Sequence, residues 1–186
     1  MTSPDPTPSP QADGAESPPP SAPVPAVARE FSHLDRSGNF QMVDVGDKPI
    51  SVRTATASGV ISMHRDTFNL IRDNGLKKGD VIPVARLAGI QAAKRTAELV
   101  PLCHPLQLSG IEVRVSLEES LPGCRVEGFV RTTAQTGVEM EALTAVSVAL
   151  LTIYDMAKAV DRTMVISEIV LREKRGGTKG DFTAGL

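Results

Sequence analysis

The apolar pattern of this chain predicts an α+β fold in which two helices cover one face of a four-stranded antiparallel sheet. The spacing of apolar residues switches between a period of two and one of about 3.6, which marks strands and helices in alternation. Leaving aside one short helix, the order is strand, helix, strand, strand, helix, strand, the split βαβ order. A Leu121-Pro122-Gly123 turn joins the two middle strands into a hairpin.

Val52 to Met63 is rich in β-branched and small residues, is interrupted by Gly59, and reads as the first strand. His64 to Asn74 reads as a short helix ended by Gly75. After Lys77-Lys78-Gly79-Asp80, a longer helix is expected from about Pro83 to Leu99, with Leu87, Ile90, Ala93 and Ala97 on its apolar side. Pro101 and Pro105 bracket the loop Leu102-Cys103-His104. Ile111, Val113, Val115 and Leu117 alternate with polar residues, as do Val126, Gly128 and Val130, so the two segments form the hairpin. The last helix, about Ala142 to Val160, is apolar around most of its circumference. A small sheet hides such a helix only in part, so a partner subunit is expected to cover the rest. The strand Val165 to Leu171 completes the order, and no internal repeat is visible.

Composition removes several classes of function. The net charge is −2, so a phosphate-bearing partner must be met by a local cluster of cations rather than by overall charge. Aromatic residues make up only 3%, with no Trp, which argues against the stacking platforms that bind single-stranded nucleic acid. No uninterrupted apolar run reaches the roughly 20 residues of a spanning helix, so neither nucleic acid nor membrane is expected as a partner. Cys103 and Cys124 supply no disulfide framework and no paired zinc spacing, which fits a reducing cytoplasmic setting and no structural metal.

Nine of the 14 prolines lie between Pro4 and Pro25, and residues 1–30 have too few apolar side chains to offset their chain entropy. They read as a disordered tail that is neither a secretory signal nor a transit peptide. Residues 31–175 read as the catalytic domain. The Gly-rich run from Gly176 to Asp181 superficially suggests a phosphate loop but lacks the strand–loop–helix setting, so residues 176–186 are expected to be a flexible terminus.

Five groups of residues carry candidate chemistry. Lys77-Lys78-Gly79-Asp80 precedes a helix and is either an anion site at the helix start or a polar turn capped by Asp80. Lys94, one turn past Ile90 on the side expected to be buried, would need an anion there. His104, fixed between two prolines, is either a stiffly held acid or base or a structural histidine. Glu139 and Glu141 lie two apart, and are either paired carboxylates for acid–base work or acidic residues at a helix start. Asp155 and Lys158, three apart at the end of an otherwise uncharged helix, share one face and are either an ordinary surface ion pair or a pair placed for a site at an interface.

Read together, Met42-Val43-Asp44-Val45, Lys78-Gly79-Asp80-Val81, the run from Ala85 to Thr96, Pro101-Leu102-Cys103-His104-Pro105-Leu106, Thr136 to Thr144 and Leu151-Thr152-Ile153-Tyr154-Asp155-Met156 closely resemble the cyclic pyranopterin monophosphate synthases, the molybdenum-cofactor biosynthesis protein C family. The likeness spans Met42 to Asp181. It implies a ferredoxin-like βαββαβ domain and a lyase that converts 3′,8-cyclised dihydro-GTP into cyclic pyranopterin monophosphate with release of diphosphate. It also implies a homohexamer built as a trimer of dimers with sites at the dimer interface, no cofactor of its own, and a substrate made by a radical S-adenosylmethionine protein. By the same resemblance the family's catalytic acid falls on Asp155 and its lysines on Lys78 and Lys158. Its substrate loop falls on Leu102, Cys103 and His104, its Met-Glu pair on Met140 and Glu141, a further acidic position on Glu139, and basic positions for the triphosphate on Arg53 and Lys94. The chemistry asks for these residue types. Proton transfers need groups such as Asp155, His104 and Lys158, while Lys78, Lys94 and Arg53 can stabilise the departing diphosphate.

Overall fold

The computed structural model describes residues 37–185; the Pro-rich segment 1–30 lies outside them. Its elements in chain order are β1 (Ser51–Ser62), α1 (Arg65–Arg72), α2 (Val81–Ala93), α3 (Thr96–Leu99), β2 (Leu108–Glu118), β3 (Gly123–Ala134), α4 (Glu139–Ala157), β4 (Val165–Arg175) and β5 (Phe182–Thr183). The strands form one sheet in the order β2-β3-β1-β4-β5, with every neighbouring pair antiparallel. Without β5 this is the ferredoxin-like arrangement expected from the pattern, and α2 and α4 cover one face.

Alternation decides which side chains meet the helices. From β1 the side chains of Ala55, Ala57 and Ile61, and from β3 those of Val126 and Val130, join Val113, Val146, Leu150 and Ile153 in one core. α4 lies very close to its neighbours. A Cβ built on Gly89 of α2 would stand 2.8 Å from the Ala145 carbonyl oxygen, and one on Gly128 of β3 would stand 3.1 Å from that of Ala142. This close approach explains the apolar character of α4, whose length and hydropathy alone would suit a membrane-spanning segment but whose residues Ala142, Ala145, Val146, Ala149, Leu150 and Ile153 are buried in the core.

The carboxylate of Asp161 ties the end of α4 to the start of α1. It is 4% exposed and accepts the backbone N–H of His64, the N-cap of α1, at 2.9 Å, together with the backbone N–H and hydroxyl of Thr163 at 2.9 and 2.7 Å. Burial pushes this carboxyl up, but these donors outweigh it and hold the group down at about 2.

Several expectations change. The sheet has five strands rather than four, because the chain turns back after β4 and pairs Phe182 with Lys174 and Thr183 with Glu173. Gly176, Gly177 and Gly180, each at positive φ, make that turn, so the glycine richness of this end encodes a reversal of direction. The long helix expected from Pro83 to Leu99 is two helices. α2 ends at Lys94, and the Thr96 hydroxyl donates back to the Ala93 carbonyl at 3.0 Å, taking up one of the acceptors a helix end leaves open. Lys94 is therefore exposed rather than on a buried side, and Leu87 is 59% exposed. α4 starts at Glu139 rather than near Ala142 and ends at Ala157.

Gly89→Val, which drives a branched side chain into the α4 backbone, is expected to cost about 1–3 kcal/mol in chemical denaturation. Gly110→Ala, where a Cβ meets only the Arg131 side chain at 3.7 Å, should change stability far less. Equal effects from the two substitutions would mean that α4 does not sit this close.

Candidate functional site

The predicted site residues gather in two places, one at each end of α4. At its C-terminal end Asp155 and Lys158 meet as the i, i+3 spacing requires, with Lys158 Nζ 2.7 Å from Asp155 Oδ1. Lys78 arrives from the loop before α2 and donates to Asp155 Oδ2 at 2.9 Å and to the Asp155 carbonyl at 2.8 Å. The Lys158 hydrogen bond, and then that of Lys78, hold the Asp155 carboxyl down at about 2, so it is an anion at neutral pH. Asp80 caps α2 by accepting the Ile82 N–H at 3.2 Å, which frees the neighbouring Lys78 to face Asp155.

At the N-terminal end of α4 a cleft of about 410 Å³ is lined by Arg53, Leu102, Cys103, His104, Glu139, Met140 and Glu141. β1 carries Arg53 on the face that meets the helices, just past the first turn of α4. The loop between Pro101 and Pro105 supplies Leu102, Cys103 and His104. His104 Nε2 lies 2.9 Å from the Val43 carbonyl oxygen. A carbonyl only accepts, so in this contact Nε2 carries a proton and donates it.

Glu139 and Glu141 are on the first turn of α4, not on an extended segment, and their environments differ. Glu139 faces Lys174 at 3.7 Å, whereas Glu141 is 4% exposed. Burial, assisted by the nearby Glu139 charge, pushes the Glu141 carboxyl up to about 6. Burial and the charge of Glu141 also push the Cys103 thiol up, so it stays neutral.

Arg53 is the least satisfied charge of the cleft. It is 7% exposed, its Nε donates to the Ala134 carbonyl at 3.0 Å, and its Nη2 is buried without a hydrogen-bond partner. A buried cation in that state calls for an anion. Lys94 lies outside this cleft, in an adjoining one of about 390 Å³ that shares His104 and Glu141 as its wall and adds Arg95. Among the described residues no three His, Cys, Asp or Glu side chains converge as a metal site would need.

Sequence reasoning missed Lys48, Gln135, Lys174 and Lys179 of the cleft. The last strand was expected to stop at Leu171, whereas β4 runs on to Arg175 and pairs Lys174 with Ala55, and Lys48 and Lys179 sit in turns with no local signature. One chain does not join the two groups of residues. Glu139 and Asp155 are sixteen positions apart on a single helix, about 24 Å along its axis.

A raised carboxyl in the folded state is most favourable below the unfolded value of 4.5, and its contribution to stability is lost as the pH rises through about 6. The difference in Tm between Glu141→Gln and the wild type is therefore expected to move in favour of the variant from pH 4.5 to pH 7. A difference that stays constant over this range would show that Glu141 is not buried as a charge.

Comparison with known proteins bears on the whole domain. The MoaC family matches residues 42–177. Over 158 residues, which are 85% of this chain and 99% of the relative, the chain is 54% identical to a protein of Parvibaculum lavamentivorans named cyclic pyranopterin monophosphate synthase. A match of this extent shows that the chain belongs to the MoaC family.

Proposed function

We propose that the chain is a lyase of molybdenum cofactor biosynthesis, converting (8S)-3′,8-cyclo-7,8-dihydroguanosine 5′-triphosphate into cyclic pyranopterin monophosphate and diphosphate. The observation that carries this reading is the 54% identity to a protein of that name over nearly the full length of the relative. The cleft fits such a substrate. Arg53 lines it as a buried cation without a counter-ion, suited to the triphosphate end, while Glu141 and His104 line the same cleft and carry groups able to exchange protons.

Ring opening and closure require proton transfers, and the cyclic phosphate forms as a substrate hydroxyl bonds to the innermost phosphorus and the bond to diphosphate breaks. Charge grows on that leaving group, and Arg53 with Lys94 from the adjoining cleft would stabilise it. A carboxyl held at about 2 is an anion and a hydrogen-bond acceptor at neutral pH. In this reading Asp155 orients the Lys78 and Lys158 ammonium groups by accepting their hydrogen bonds, and Glu141 is the carboxyl able to act as an acid.

We further propose that the complete site forms between two copies, with the cleft from one and the Lys78–Asp155–Lys158 cluster from the other, in a hexamer built as a trimer of dimers. The 24 Å span of α4 supports this, since one small molecule does not bridge about that distance. Exposed apolar residues Val84, Leu87 and Leu151 on α2 and α4 give a second copy a surface to cover. The substrate would come from a radical S-adenosylmethionine GTP cyclase, and the enzyme would work in the cytoplasm, where two free cysteines stay reduced.

Asp155→Asn and Lys158→Ala are each expected to lower turnover of the cyclised nucleotide by about 10²–10⁴-fold. Wild-type rates from both would refute the assignment. Co-assembly of equal amounts of Lys158→Ala and Arg53→Ala chains, each inactive alone, should restore about a quarter of wild-type turnover through mixed dimers that keep one intact site. Mixed assemblies that stay inactive would sink the shared site while leaving the reaction itself untouched.

A further inference from the structure

We infer that the turn Gly176 to Gly180 between β4 and β5 is the outer wall of an anion site, with Lys179 lining the same cleft as the buried Arg53 and taking the polyphosphate end of the substrate. The inference deepens the reading above and rests on it for the identity of the substrate.

Two independent observations point to the same place. The first is Arg53, more than nine-tenths buried, with Nη2 lacking a partner and no ion pair to its guanidinium among the described residues. The second is the turn itself, whose residues Gly176, Gly177, Thr178 and Lys179 all line the cleft that holds Arg53. The turn is fastened on both sides. The Gly176 N–H donates to Asp181 Oδ1 at 2.9 Å, and the Ala184 N–H donates to the Arg172 carbonyl at 2.8 Å beyond β5. Gly177 stands at φ 91°, and a Cβ there would run into the Arg53 guanidinium. The missing side chain lets the turn close on the arginine and leaves its inner edge open to the cleft.

The charges differ in what they are tied to. Lys174 faces Glu139, whereas Lys179 is exposed and has no ion-pair partner among the described residues. Two cations without ion-pair partners that line one cleft suit a group carrying several negative charges.

The test uses the full chain, with inorganic triphosphate as the calorimetric probe beside steady-state turnover of the cyclised nucleotide. Lys179→Ala is expected to weaken triphosphate binding and raise KM about tenfold each, with kcat changed less than about twofold, because it removes ground-state binding of the phosphates. Lys179→Arg should restore affinity, and Gly177→Ala should weaken it by displacing Arg53. Wild-type affinity and KM in Lys179→Ala, with the nucleotide still consumed, would overturn the inference and leave the proposed reaction standing. Triphosphate binding that depends on Lys179, in a protein that does not consume the nucleotide, would uphold the anion site and refute the reaction. No binding of triphosphate to the wild type would overturn the inference.

Discussion

Helix α4 packs so closely on the sheet and on α2 that Gly89 and Gly128 have no room for a side chain beside the Ala145 and Ala142 carbonyl oxygens. That contact sets where both ends of the helix lie. Its first turn is held over Arg53 and the start of the cleft, and its last turn beside the loop that carries Lys78. Because a packed helix does not bend to bring its ends together, the same contact keeps the two groups of site residues about 24 Å apart in one chain. The proposal of a site shared with a second copy rests on this rigidity as much as on the exposed apolar residues.

The site charges are held in three different states. Asp155 is solvent-exposed and kept ionised by two ammonium groups, an arrangement that orients the lysines more than it stabilises the fold. Asp161 is buried but fully supplied with N–H and O–H donors, so it serves as a structural tie between α1 and the segment after α4. Arg53 and Glu141 are buried with less compensation, the one lacking an anion and the other pushed toward its neutral form despite a backbone hydrogen bond. Groups left in that condition contribute little to folding and are ready to interact with something that enters the cleft.

Much of the fold was legible before any coordinates. The split βαβ order, the hairpin at Pro122 and the long apolar helix all follow from periodicities that local sequence carries. Asp155 and Lys158 were legible for the same reason, since a three-residue spacing on a helix places two side chains together whatever the rest of the chain does. Lys78 and the loop around His104 stood out from their local settings, but only the resemblance added Arg53 and grouped all of these with Asp155 and Lys158, which no spacing could do. The break between α2 and α3 was not legible, because it turns on the Thr96 hydroxyl bonding back to the helix end.

What the sequence determined by itself was therefore local: the elements, their order, the pair on one helix face and, through long matching motifs, the family. The tertiary structure alone decided which distant groups share a space. Lys78 reaches Asp155 across 77 positions, and Arg53, Lys174 and Lys179 meet only because β1 and β4 are neighbours and the chain folds back at its three glycines. Contacts of that kind depend on sheet order, register and side-chain burial, which are properties of the packed chain and leave no periodic trace in the string of residues.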